Sequence, residues 1–232
     1  MSSARQRWPR RKGAVEGITD AVQDYLREIY KLQQETARVT TGALARRLNV
    51  SAPSVTAMVK KLAALELADH APYRGVRLTP AGERMALELT RHHRLIELYL
   101  AENLDVGIDA VHDEADRLEH ALSEELELRL DELLGRPTHD PHGDPIPNAR
   151  LKIEQSQTRH LTTLAPGDEA TVRKIPDGDA ELLRYLARLA LVPGQSVTLI
   201  DAAPCNGPLT LRINGRKTAI SFELAEKIRV AA

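Results

Sequence analysis

Apolar positions recur along the chain at two different spacings, and each predicts a different kind of element. Val22, Tyr25, Leu26, Ile29 and Leu32 fall three and four apart, which puts them on one face of a helix that Thr19 or Asp20 is suited to cap. Leu44 and Leu48 mark a short second helix that stops at Asn49-Val50. Ser51 then caps a third, in which Pro53 suits the first turn and Val55, Val59 and Leu62 form the buried stripe. This spacing turns Ser54, Thr56, Ala57, Lys60 and Lys61 away from the core. Two short helices, a tight turn and a polar, basic outer face on the second predict a helix-turn-helix. Leu67 to His70 and Val76 to Leu78 follow as short strands around Tyr73-Arg74-Gly75, a hairpin in the position of a wing, with Arg74 and Arg77 on its tip or strands.

Thr79-Pro80 supplies an N-cap and an N1 proline for a long helix reaching about Asn103, and a second long helix is predicted from about Val111 to Leu134, ended by Gly135 and Pro137. Pro137 to Asn148 is proline-rich and reads as an ordered connecting loop, with a polar linker from Lys152 to Thr163. The last part changes period. Strand-like pieces at Glu169–Ile175, Ser196–Asp201, Leu209–Ile213 and Thr218–Phe222, with turns at Pro193-Gly194 and Asn214-Gly215, predict a small barrel interrupted by one helix from about Asp179 to Ala190. The expected architecture is therefore mainly α with a small β part. It comprises a basic disordered arm (1–17), a winged helix-turn-helix (18–80), a helical domain (81–148), a linker (149–163) and a C-terminal barrel (164–232).

Charge sharpens this division. The net charge is only -1, yet residues 1–80 carry 14 Lys/Arg against 7 Asp/Glu while residues 81–232 carry 18 against 26. A basic first third points to a polyanionic partner such as double-stranded DNA, and an acidic remainder would repel it unless a cation intervened. The single cysteine, Cys205, cannot form an intrachain disulfide, so a cytoplasmic setting is expected. No apolar run approaches the roughly 20 residues that span a bilayer, and the basic start lacks the apolar stretch of a secretory signal. No membrane partner is expected.

The chemistry concentrates on the predicted long helices. His93 and Glu97 are an i, i+4 pair on one; on the other, Asp116 shares a face with Glu119 and His120, with His112 one turn earlier. Carboxylates and imidazoles without a thiolate suit a borderline-hard divalent ion, manganese(II) or iron(II), better than a closed structural zinc site. The plain alternative is that these are solvated residues on amphipathic helices. For His139 and His142, in the proline-rich loop, turn geometry is the preferred reading over metal binding, and Cys205 is read as structural.

Several runs resemble the family of the diphtheria toxin repressor, the iron-dependent regulators and the manganese transport regulators. They are Asp24-Tyr25-Leu26-Arg27-Glu28-Ile29-Tyr30, Ser51-Ala52-Pro53-Ser54-Val55, Leu78-Thr79-Pro80-Ala81-Gly82, Arg91-His92-His93-Arg94-Leu95 and Gly143-Asp144-Pro145-Ile146-Pro147. The most specific is Val111-His112-Asp113-Glu114-Ala115-Asp116-Arg117-Leu118-Glu119-His120. The resemblance covers most of the chain. It implies a homodimeric, metal-dependent transcriptional repressor, not an enzyme, whose C-terminal barrel is SH3-like. It also implies a primary metal site of Asp24, Asp116, Glu119 and His120, and an ancillary site of His93, Glu97 and His112. In some members the C-terminal module lends a ligand to the ancillary site; Asp179 or Glu181 are the positions here that could serve. Asp24 and Asp116 stand where iron-responsive members typically carry methionine and cysteine, which favours manganese; Arg27, where manganese members often carry glutamate, keeps iron(II) as the alternative. DNA contacts are implied for Ser51, Pro53, Ser54, Thr56, Lys60, Lys61 and Arg74, with Ser51 and Pro53 reaching base edges and the others mostly phosphate. Ala57 replaces a glutamine of the family.

Two other classes compete. A metal-independent winged-helix regulator would bind DNA in the presence of chelator and answer to an organic ligand. A metal-dependent hydrolase or oxidase would leave the helix-turn-helix unexplained, and the chain carries no nucleophile elbow or phosphate loop.

Overall fold

The structure, a computed structural model, describes residues 18–71, 74–154 and 157–231. The basic arm expected over residues 1–17 and Tyr73 of the wing lie outside the described residues. The chain divides into two compact units, one running to Leu89 with Ser123–Glu125 added, the other made of Thr90–Leu122 and Leu126 onward.

In the first unit α1 (Asp20–Gln33) is capped by Thr19, whose hydroxyl accepts from the Val22 N–H, and it buries Val22, Leu26 and Ile29 completely. Thr40 caps α2 (Thr41–Arg47) and Ser51 caps α3 (Ala52–Ala64), each with its side-chain oxygen facing an N–H of the first turn that would otherwise lack a partner. Between α2 and α3 the chain turns through Asn49 at φ 51°, a conformation asparagine tolerates better than most side chains. Strands β1 (Ala68–Ala71) and β2 (Gly75–Leu78) pair antiparallel, Ala68 opposite Leu78 and Ala71 opposite Gly75. Gly75 has to be glycine: its φ is +79° and a Cβ would stand 2.6 Å from the Val39 carbonyl oxygen. One core unites these elements, with Val22, Leu26, Ile29, Leu44, Val55, Val59, Leu62 and Val76 inaccessible to solvent.

Helix α4 (Pro80–Leu104) starts at Thr79, which accepts from the Gly82 N–H and donates to the Glu66 carbonyl. Its first ten residues belong to the first unit and the rest to the second. The single helix expected from Val111 to Leu134 is broken: α5 (Val111–Leu118), a 3-10 turn at Glu119–Ala121, and α6 (Glu124–Leu133). The break lies at Leu122, which is extended at ψ 126° and packs with Ile96, Leu100 and Val111. Ser123 followed by Glu124-Glu125 is the pattern that opens a new helix, and it outweighs the continuing apolar period.

The C-terminal part forms one antiparallel sheet from β3 (Arg159–His160), β4 (Glu169–Lys174), β5 (Ser196–Ala202), β6 (Leu209–Ile213), β7 (Arg216–Ile220) and β8 (Arg229–Ala231), in spatial order β3-β8-β4-β5-β6-β7. Helix α7 (Ala180–Arg188) covers it with Leu183 and Leu186, and a further helix, α8 (Phe222–Lys227), precedes β8. Phe222, expected at the end of a strand, opens α8 instead because Ser221 caps it. The sheet's first strand lies within the polar stretch read as linker, and Leu161 directly after it is fully buried. No described helix is long and apolar enough to cross a membrane.

Candidate metal centre

The middle of α4 reverses the usual helix pattern. Arg91, His92, His93 and Glu97 are only 2%, 2%, 4% and 2% exposed. Burying ionisable groups costs several kcal/mol each unless they find partners, and each of these does. Arg91 donates through Nε to Glu127 (2.6 Å) and through Nη1 to the Pro147 carbonyl (2.8 Å), and its Nη2 faces Asp131 at 3.0 Å. His92 Nε2 lies 2.8 Å from the second Glu127 oxygen.

His93, Glu97 and His112 converge on one point. His93 Nε2 is 2.9 Å from Glu97 Oε1 and 3.0 Å from His112 Nδ1, and His112 Nδ1 is 3.0 Å from the same glutamate oxygen. Adjacent donors on an octahedral ion with bonds of about 2.1 Å stand about 3 Å apart, so these three atoms have the spacing of one octahedral face. Burial pushes the Glu97 carboxyl up, but hydrogen bonds from His112 and His93 outweigh it and hold the group well below the usual carboxylate range. The other nitrogen of His93 is engaged as well. Nδ1 lies 2.7 Å from Glu119 Oε2 and 3.3 Å from Asp116 Oδ1. His120 Nε2 stands 3.7 Å from the other Glu119 oxygen. The break between α5 and α6 makes this possible, because it sets Glu119, almost fully buried, and His120 in the tight turn beside α4.

Two residues of the proline-rich loop join the group. Asp140 and His142 are buried, and with Glu97 they offer ligand atoms that all lie within 4.8 Å of one another. His142 Nε2 bonds the Ile108 carbonyl, which can only accept, so the proton resides on Nε2. Nδ1, the nitrogen left for a ligand, is buried and has no hydrogen-bond partner among the described residues. A buried imidazole fixed in this tautomer is the usual arrangement of a metal-ligating histidine. Asp140 Oδ1 accepts from the backbone N–H groups of His142 and Asp144 at 2.9 Å each. Burial, helped by the charges of Asp144 and Glu97, pushes its carboxyl well above the ordinary range. The composition of this loop favours turn geometry over metal binding for His142 and does not point to Asp140; the spacing Asp-x-His is the available signal, and burial is not readable from it. His139 bonds Thr138 instead.

Asp24 is on α1 in the first unit, partly buried. Asp179 is the N-cap of α7, its Oδ1 accepting from the Leu182 N–H at 3.0 Å, and Glu181 is exposed in the following turn. Neither belongs to a ligand cluster among the described residues. On α3, Ser51, Pro53, Ser54 and Lys60 are exposed while Thr56 and Lys61 are partly so, and Arg74 is exposed in the wing. The Ser51 and Ser54 hydroxyls bond each other at 2.8 Å, and Thr56 donates to the Ala52 carbonyl. These bonds fix the rotamers of an outward-facing polar surface.

Three sequence families match in turn. Residues 17–76 match the iron dependent repressor N-terminal DNA binding domain, residues 79–148 the iron dependent repressor metal binding and dimerisation domain, and residues 159–232 the FeoA domain. The diphtheria toxin repressor of Corynebacterium efficiens is 31% identical over 226 residues, covering 93% of this chain and 97% of that one. The chain belongs to the diphtheria toxin repressor family. The iron-dependent repressor IdeR of Mycobacterium tuberculosis is likewise 31% identical, over 92% of this chain and 97% of its own. Among solved structures, a manganese-dependent transcriptional repressor in complex with manganese superposes with a TM-score of 0.82 at 37% identity, covering 91% of this chain and 99% of the other. The repressor ScaR with bound cadmium gives 0.75 at 31%, over 90% and 98%. Like its family, the protein is a metal-dependent transcriptional repressor with a DNA-binding domain, a helical dimerisation domain and a C-terminal SH3-like domain, and it is not an enzyme.

Proposed function

We propose that this repressor is switched on by manganese(II), bound at two neighbouring sites in each protomer of a homodimer, and that the loaded dimer binds a palindromic operator in the cytoplasm. The observation that carries the reading is the triangle of His93 Nε2, Glu97 Oε1 and His112 Nδ1 with edges of 2.9 to 3.0 Å. This trio is the ancillary site, and Asp140 and His142, whose buried Nδ1 makes no hydrogen bond among the described residues, extend it. Asp116, Glu119 and His120 are the second set of ligands, the primary site, for which the family resemblance adds Asp24. A bound divalent cation would supply the positive charge that lets so many carboxylates share a small volume. Manganese is favoured over iron(II) because the set is built from carboxylate and imidazole, with Asp24 and Asp116 in place of softer sulfur ligands. Several of the similar solved structures are of manganese-dependent repressors or a manganese regulator.

The dimer is supported by the large apolar side chains that the helical domain leaves exposed, Leu104, Leu118, Leu126, Leu128 and Leu133. Such a density of bare leucines is expected where a partner covers them. A two-fold dimer whose α3 helices sit about one duplex turn, ~34 Å, apart reads two half-sites, with Ser51 and Pro53 towards base edges and Ser54, Thr56, Lys60, Lys61 and Arg74 towards phosphate. The test is operator selection from random duplex DNA with the full chain, in chelator and with manganese(II), anaerobic iron(II) or zinc(II). Enrichment of one palindrome with manganese and none in chelator is expected. Enrichment with iron(II) alone would transfer the role to that metal, and equal enrichment in chelator would remove the metal switch.

A further inference from the structure

Strand β2 is an edge strand, and an edge strand presents outward N–H groups that need acceptors. Alternate residues face outward, here Val76 and Leu78. Val76 exchanges both backbone hydrogen bonds with Val39 at 2.9 Å, as an isolated bridge. Two residues later a continuing strand would offer a carbonyl to Leu78, which is 5% exposed. The Gln33 side chain does so instead, its Oε1 accepting from the Leu78 N–H at 2.8 Å. Gln33 is the last residue of α1, the helix that carries Asp24 nine residues earlier. The same helix grips α2 through Glu28 Oε2 and Arg47 Nε at 2.9 Å. From its C-terminal end to Val39, this segment therefore holds the outer edge of the wing.

We infer that Gln33 is a positioning residue for DNA binding: through its bond to the Leu78 N–H it ties the wing, and with it Arg74, to the helix that bears Asp24. Gln33 touches neither DNA nor metal. Its contribution is to give the outer edge of β2 a second point of attachment beside the Val39–Val76 bridge, so that the wing arrives at the duplex already oriented. The inference rests on the wing being a DNA contact, and the Arg74→Ala variant tests that premise separately.

The experiment compares full-length wild type, Gln33→Met, Gln33→Glu and Arg74→Ala with manganese(II) present, measuring operator affinity across a range of salt concentrations. Exchange of the Leu78 amide is followed in parallel. Arg74→Ala should lower the magnitude of the salt slope by about one, as expected for loss of one phosphate contact. Gln33→Met, which keeps the side-chain length but offers no oxygen, should do nearly the same, weaken operator binding about five- to tenfold and speed exchange of the Leu78 amide, with manganese affinity unchanged. Gln33→Glu keeps an acceptor and should restore both amide protection and the salt slope. If Gln33→Met binds operator like wild type while its Leu78 amide exchanges faster, or if Gln33→Glu fails as badly as Gln33→Met, the positioning role is overturned. If Arg74→Ala itself leaves the slope unchanged, the wing premise fails, and the Gln33 inference with it.

Discussion

The recognition helix α3 and the middle of α4 handle polar side chains in opposite ways. α3 buries Val55, Val59 and Leu62 and leaves Ser54, Lys60 and the N-terminal serine facing solvent. α4 buries Arg91, His92, His93 and Glu97, so part of its polar sequence lies inside. The two arrangements answer different partners. A duplex is a large polyanion that brings its own surface, so its contacts have to be exposed and need only modest preorganisation. A single ion has to be surrounded, and donors that converge in a water-poor interior attract it more strongly than the same donors in solvent. The desolvation cost at α4 is offset by mutual pairing, imidazole to carboxylate, that a cation can replace.

The largest expected effect tests this at the residue common to both halves of the inner cluster. Glu97→Gln keeps the volume but removes the charge that faces His93, His112 and the Asp140–His142 pair. Loss of a second-sphere partner typically weakens metal binding about 10- to 100-fold, and removing a ligand should exceed that, so manganese affinity by calorimetric titration should fall more than about 100-fold. Operator binding at limiting manganese should fall with it, while binding to nonspecific DNA in chelator stays as in wild type. A variant that keeps wild-type manganese affinity would reduce the buried cluster to structural pairing and erase the contrast with α3.

The same contrast explains what could be read from the sequence. The helix-turn-helix, the wing and the start of α4 were legible because their apolar residues keep a clean period and Thr19, Ser51 and Thr79 are caps with local partners. His93, Glu97 and His112 were legible as a spacing, but periodicity assigns charged residues to the solvated face, so their burial was not. The kink at Leu122 was hidden by apolar residues that continue the period across it. Asp140 and His142 were missed as a pair because a proline-rich loop carries no periodicity at all, and β3 and β8 are two and three residues long, below any pattern's reach. Asp179, by contrast, had a purely local explanation as a helix cap, and that is the contact it makes.

A smaller effect separates pairing from metal binding. Glu127 accepts from Arg91 and lies against His92, and it belongs to none of the ligand clusters among the described residues. Burial pushes its carboxyl up, but the hydrogen bonds to His92 and Arg91 prevail and the group is held below its usual range. A carboxyl depressed in the folded state adds stability that is fully present above its unfolded range, about pH 4.3, and is lost as the pH falls through its folded value. Glu127→Gln should therefore cost roughly 2 kcal/mol near neutral pH, since Arg91 keeps Asp131 and the Pro147 carbonyl, and the cost should shrink as the medium becomes more acidic than pH 4. Urea denaturation of the metal-free protein at several pH values measures this. A cost that does not diminish in acid would assign the effect to packing rather than charge.

The smallest effect is expected on the exposed side. Lys60 projects from α3 into solvent and Lys61 is partly exposed, and neither takes part in the core, so replacing either with alanine should leave thermal stability within about 0.5 kcal/mol of wild type. If each meets a phosphate, each substitution should reduce the magnitude of the salt slope of operator binding by about one, uniformly across operator variants and with the manganese dependence unchanged. A substitution that instead changed which bases are preferred would move that lysine from phosphate to a base edge, where Ala57 leaves room on the same face. Exposure makes such a reassignment inexpensive on α3. On α4 any comparable change strands a buried partner, which is why its polar residues should respond to substitution through metal affinity and folding together, and those of α3 through DNA alone.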